Sequence, residues 1–170
     1  YILVNDIDFA GQEFQQNTFG GAFLAQVNGR GYSVKNLSFT LTGTDVGFFD
    51  QWGNGCIIEN INFTDMTIKG TAIHGGLVRL VVGLVEVRNC YFDVNMEARG
   101  IRVGVLGMLD GGCKVNNCIV NMNYGDASTL NPVANENPRA FIGRCGAGAV
   151  TNCFVNSTAL GDANGKVLAM

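Results

Sequence analysis

Apolar and polar residues alternate over short stretches that recur along the chain, each stretch centred on an asparagine. Five segments superpose: Val34-Lys35-Asn36-Leu37-Ser38-Phe39, Ile58-Glu59-Asn60-Ile61-Asn62-Phe63, Val87-Arg88-Asn89-Cys90-Tyr91-Phe92, Val115-Asn116-Asn117-Cys118-Ile119-Val120 and Val150-Thr151-Asn152-Cys153-Phe154-Val155. Two positions before the asparagine stand Val34, Ile58, Val87, Val115 and Val150, and four before it Tyr32, Cys56, Val85, Cys113 and Gly148. Mostly polar residues lie between, which is the period-two alternation of a strand with one buried face. Beyond the asparagine the phase flips: positions +1 (Leu37, Ile61, Cys90, Cys118, Cys153) and +3 (Phe39, Phe63, Phe92, Val120, Val155) are apolar. The chain therefore turns a corner at the asparagine, a residue that tolerates the left-handed backbone which bulkier side chains avoid.

Asn36, Asn60, Asn89, Asn117 and Asn152 are separated by 24, 29, 28 and 35 residues. A second block precedes each of them: Phe23-Leu24-Ala25, Gly47-Phe48-Phe49, Gly76-Leu77-Val78, Gly104-Val105-Leu106 and Ala140-Phe141-Ile142, its first residue 13 positions ahead four times and 12 the fifth. Constant spacing within a unit and variable spacing between units assigns a rigid part and a loop-bearing part to each coil. With no helical period, the pattern predicts an all-β, single-stranded parallel β-helix, a β-solenoid of about five coils of 24–35 residues. It forms one repeat domain over residues 1–170, with Tyr1–Phe9 entering as an additional strand. Like residues then stack about 4.8 Å apart on successive coils. Two sets of charges support that register, Lys35, Glu59 and Arg88 at position −1, and Glu86 followed by Lys114 at position −3; Asp50 and Arg79 also fall in one column. The five asparagines are expected to bond amide to amide as a ladder.

Composition narrows the function classes. The chain has 11 Lys+Arg against 14 Asp+Glu, a net charge of −3, and no cationic stripe of the kind that neutralises phosphates, which excludes nucleic acid as a partner. The longest apolar stretch, Gly75 to Val85, is interrupted by Arg79 and falls short of the 18 or more residues of a bilayer span, so no membrane span is expected. The first residue is Tyr1 rather than Met, and the residues after it already read as structured chain, so a piece of a longer protein is expected.

Gly75-Gly76-Leu77-Val78, Gly104-Val105-Leu106-Gly107 and the pair Gly111-Gly112 before Asn117-Cys118 resemble the GLUG-type repeat of large bacterial and some protist surface proteins. The opening Leu3-Val4-Asn5-Asp6-Ile7-Asp8-Phe9, Phe19-Gly20-Gly21-Ala22-Phe23 and Asn28-Gly29-Arg30-Gly31-Tyr32 is similar to the segment that starts such arrays, whereas Phe23-Leu24-Ala25-Gln26 departs from the glycine-flanked pair. The resemblance implies a right-handed β-helix, a role in adhesion, display or spacing, and an extracellular or cell-surface location. It supplies no catalytic residues.

Candidate chemistry is sparse. The six cysteines include no Cys-x-x-Cys pair and the one histidine, His74, lies in another part of its coil, so neither a metal site nor a cofactor is expected. Cys90, Cys118 and Cys153 share an inward column and are expected as free, buried thiols. The glycine-rich Gly143-Arg144-Cys145-Gly146-Ala147-Gly148 looks like a phosphate loop but precedes no helix. Binding residues are expected on the long link between coils four and five, Tyr124, Asp126, Asn131, Glu136 and Arg139, and at Trp52 in the turn over residues 50–55, where it could stack on a sugar; the alternatives are a tolerated surface insertion for the link and packing of Trp52 against its own turn. The expected function is a non-enzymatic structural or binding module of a surface-exposed protein. A phage or viral fibre shaft and a polysaccharide-active solenoid enzyme are the alternatives. Expected partners are further repeats or a second subunit at the open ends of the solenoid, and a cell-surface glycan or protein receptor.

Overall fold

A computed structural model describes residues 1–98, 103–124 and 141–157. Among these residues every strand pairing is parallel and no helix occurs. Five short strands, Gln26–Asn28, Ile57–Glu59, Glu86–Arg88, Lys114–Asn116 and Ala149–Thr151, lie side by side in one sheet. They mark off about four turns of a parallel β-solenoid, slightly fewer than the five coils counted from the sequence. The expected extra strand is Ile7–Asp8, which pairs with Ser33–Lys35 in a second sheet, with Ile7 opposite Val34.

After each short strand the chain turns and enters a larger, eleven-stranded sheet that wraps the remaining sides of the coil. Ser38–Trp52 and Asn62–Val82 run through it as long bent strands, followed by Tyr91–Met96, Ile119–Tyr124 and Phe154–Ser157 on one side and by Leu106–Asp110 and Ile142–Cys145 on another. The turn is made by Asn60, Asn89, Asn117 and Asn152, at φ of 54°, 54°, 52° and 52°. For a residue other than glycine or a short polar one, that conformation costs roughly 1–2 kcal/mol, which explains the asparagine at each corner.

The two phases of alternation on either side of the corner feed one core. Ile58, Val87 and Val115 point inward before it, and Ile61, Cys90, Cys118 and Cys153 after it, all buried. Further along stack Phe63 and Phe92, their rings 5.2 Å apart and nearly parallel, and then Val78, Leu106 and Ile142. Burying each such side chain contributes roughly 1.5–3 kcal/mol. The column Gly47, Gly76 and Gly104 lets neighbouring coils approach at another corner. A Cβ on Gly76 would collide with the Gly104 carbonyl and stand 2.6 Å from that of Val105, and one on Gly104 would lie 2.8 Å from the Gly143 nitrogen.

The first turn corrects the sequence register. Val34 stands opposite Ile7 and Phe63 rather than Ile58, whose partner is Val27. Gly29 therefore occupies the corner beneath Asn60, and Asn36 belongs to a different column beside Asp65. Both Asn36 and Asp65 are left-handed, at φ of 55° and 54°. The motif match arose because two separate corners of the coil use the same conformation and the same residue class. The Phe23 block shifts with it, since Phe19 pairs with Phe49 and Phe23 with Trp52.

Candidate binding face

The asparagine ladder is real over part of its expected length. Asn89 donates from Nδ2 to Asn60 Oδ1 at 3.0 Å and Asn117 to Asn89 at 3.3 Å. Below Asn60 the acceptor is Asn28, at 3.2 Å, because Asn36 sits elsewhere and donates to Asp8 at 2.8 Å. At the top, Asn152 donates to Asn116 rather than Asn117, at 3.5 Å. Each such bond contributes roughly 0.5–1.5 kcal/mol net, so the column is a structural seam.

Trp52 is not a surface contact. It is 1% exposed, packs with its ring 5.7 Å from that of Phe49, and sits between Phe23 and Val81 in register. The end of the long strand Ser38–Trp52 turns its large apolar side chain into the core, and its indole N–H has no hydrogen-bond partner among the described residues. Tyr124 ends the strand Ile119–Tyr124 opposite Met96 and is half-buried against the core. Asp126, Asn131, Glu136 and Arg139 lie outside the described residues.

Several outward carboxylates are engaged by neighbours on the same or adjacent coils. Arg79 Nε reaches Asp50 at 2.6 Å, and Arg88 holds both Glu59, at 2.8 Å, and Glu86, at 2.6 Å. Lys35, expected to stack with Glu59, instead pairs with Asp6 at 2.6 Å as the corrected register requires. In the first coil hydrogen bonds lower three carboxyls: Lys35 holds Asp6 below its usual range, the Asn36 amide does the same for Asp8, and the Thr40 hydroxyl, with Lys69, for Glu13. These groups are kept ionised, the opposite of what a general acid requires.

The cysteines are free, five buried and Cys145 exposed. The Cys90, Cys118 and Cys153 thiols donate to backbone carbonyls, with Sγ 3.2 Å from Arg88 O, 3.3 Å from Asn116 O and 3.2 Å from Thr151 O. The neighbouring Cys118 thiol lowers Cys90 against the effect of burial. The neighbouring Cys153 thiol pulls Cys118 down, yet the Cys90 thiol and burial push it up to about 12. Cys153 is raised by the Cys118 thiol and by burial, and burial alone pushes Cys56 up to about 11. The five buried thiols are packing groups. Among the described residues no group of three or more His, Cys, Asp or Glu converges on a metal position, and no helix is long and apolar enough to cross a membrane.

Among the described residues one outer face carries its side chains in ordered lanes along the solenoid axis. Two positions past each corner, Asn62, Tyr91, Ile119 and Phe154 stand in register, and Asp93, Asn121 and Asn156 do so four positions past the last three corners. Asn121 donates to Asp93 at 2.8 Å and Asn156 to Asn121 at 2.9 Å. A third lane follows, in which Asn123 donates to Asn95 at 3.1 Å. The face thus carries an apolar lane beside two amide lanes, each running along the solenoid axis. Its residues were visible in the aligned segments as the outward partners of the core positions. No single residue among them is unusual, so none stands out from the sequence on its own.

The chain matches no family model, no curated protein and no solved structure.

Proposed function

We propose that this solenoid is a non-enzymatic structural and binding module of a larger surface-exposed protein of GLUG-repeat type, a rigid rod that presents a patterned face and its loops to an extracellular partner. The observation that supports this reading most is the disposition of its carboxylates. Hydrolysis of a sugar linkage requires two carboxyl groups flanking one bond, one of them protonated. Here Asp50, Glu59 and Glu86 are tied to arginines, Asp93 accepts from Asn121, and Asp6, Asp8 and Glu13 are held ionised by their neighbours. The outer surface is built for cohesion between coils. The continuous parallel ladders favour a spacer as well, since each coil is locked to the next through backbone bonds on more than one side.

Incubation with a panel of polysaccharides, followed by chromatography of released sugars, tests the reading. The expected result is no turnover. Cleavage that disappears in Asp50→Asn or Asp93→Asn would assign the chain to a polysaccharide-active enzyme instead.

A further inference from the structure

We infer that the face formed by Tyr91, Ile119 and Phe154 with Asp93, Asn121 and Asn156 binds a neutral polysaccharide laid along the solenoid axis. The inference deepens the scaffold reading above and rests on it. Ile119 and Phe154 are 50% and 55% exposed, while their alternate neighbours Val120 and Val155 face the core. An apolar lane maintained on consecutive outer rungs is surface that a partner would bury.

The second lane specifies what the partner looks like. Asn121 uses one Nδ2–H on Asp93 and accepts one bond from Asn156, which leaves a second donor and a second lone pair on a side chain already fixed by its neighbours. Such a preorganised row of donors and acceptors suits hydroxyl groups, which both give and take hydrogen bonds. Asp93 is the one charge among the six residues, so nothing in the patch attracts an acidic polymer, and its mostly uncharged amides favour a neutral one over a strongly basic one.

Dimensions agree with the chemistry. Neighbouring lanes are two residues apart along a strand, about 7 Å, and three rungs span about 10 Å. A pyranose ring can rest its C–H face on the apolar lane while its equatorial hydroxyl edge meets the amides, and successive sugars of a linear chain continue up the rungs. Stacking on Tyr91 and Phe154 supplies contact area, and the amide lane fixes direction. A peptide strand would need unpaired backbone groups, which a sheet face, unlike a sheet edge, does not offer.

The test uses the full 170-residue chain and soluble hexasaccharides of β-1,4-glucose, β-1,3-glucose, N-acetylglucosamine and β-1,4-mannose, with an alginate hexamer as the charged comparison. Binding is read by calorimetry and by amide shifts of the labelled protein. The expected result is saturable binding of at least one neutral oligomer, with shifts centred on Tyr91, Ile119 and Asn121. Phe154→Ala and Tyr91→Ala should each weaken it about ten-fold, the size typical of one lost stacking contact. Asn121→Ala should weaken it about five-fold. Leu84→Ala, which removes a still more exposed apolar side chain elsewhere, should leave it unchanged. Absence of binding to all four neutral oligomers overturns the inference, as does preferential binding of alginate or indifference to the Phe154 and Asn121 substitutions. Self-association abolished by Phe154→Ala in sedimentation would also overturn it, in favour of a second copy on this face. The scaffold reading fails separately, by sugar release.

Discussion

Replacing Gly76 by alanine is the sharpest perturbation of this fold. The new Cβ would collide with the Gly104 carbonyl and lie 2.6 Å from that of Val105, so it meets backbone on the adjacent coil and no rotamer can relieve it. Either the two coils separate locally or the corner deforms, and the bond from the Leu77 amide to Val105 at 2.8 Å is stretched in both cases. Overpacking of this kind costs about 3 kcal/mol, at the upper end of the usual range. Alanine restricts the unfolded chain and returns about 0.4–1 kcal/mol, which leaves a net loss of about 2 kcal/mol or more. For a chain of this length that is a fall in Tm of roughly 4–8 °C. Gly20→Ala is the control, since its nearest neighbour would be 3.9 Å away and its φ is not positive. It should melt at or slightly above the parent temperature. Thermal unfolding followed by far-ultraviolet circular dichroism reads both. Equal melting of the two variants would refute the close approach of stacked coils at the Gly47, Gly76 and Gly104 column.

Four further outcomes follow from the same geometry. Asn89→Gly keeps the left-handed corner and loses the amide bonds to Asn60 and Asn117, whereas Asn89→Ala loses both, so denaturant titration should find Ala less stable than Gly by about 1 kcal/mol. Trp52→Phe removes a buried, unpartnered N–H together with some volume, and its melting should stay close to the parent; Trp52→Ala should lose about 3–5 kcal/mol. Under native conditions iodoacetamide should modify Cys145 alone, with the remaining five thiols reacting only in denaturant, as mass spectrometry would count. Asp6, Asp8 and Glu13 have lowered pKa values and tie the first coil to the second, so their contribution is present above the unfolded values of 3.8 and 4.5 and is lost as pH falls through the folded ones. Hydrogen exchange at the Phe9 amide, corrected for intrinsic rate, should accelerate below that range while the Tyr91 amide stays protected.

Much of the architecture is written in short-range pattern. The inversion of alternation at Asn60, Asn89 and Asn117 announces a corner, and the distances between those asparagines give the coil length directly. Asp50 over Arg79 and Glu59 over Arg88 fall out of the same alignment. Asn36 misleads because left-handed asparagine is a local requirement that any corner can satisfy, and only pairing across coils, Val27 with Ile58 and Val34 with Phe63, tells two corners apart. Trp52 misleads for a related reason. A tryptophan flanked by turn residues looks exposed until the strand that ends on it assigns its face, and that strand, Ser38–Trp52, is long and bent through positions with no regular alternation. The proposed binding face is not legible residue by residue: Tyr91, Ile119 and Phe154 are ordinary residues that stand out only by their register across coils.

The stacking itself is most directly tested by hydrogen-bond scalar couplings in the isotope-labelled chain. Couplings from the Tyr91 amide to the Ile61 carbonyl, from Ile119 to Cys90 and from Phe154 to Cys118 are predicted, at nitrogen–oxygen separations of 3.1, 2.9 and 2.9 Å. Couplings from these amides to other carbonyls, whether shifted along the neighbouring coil or in an antiparallel hairpin, would contradict the solenoid and the lanes built on it.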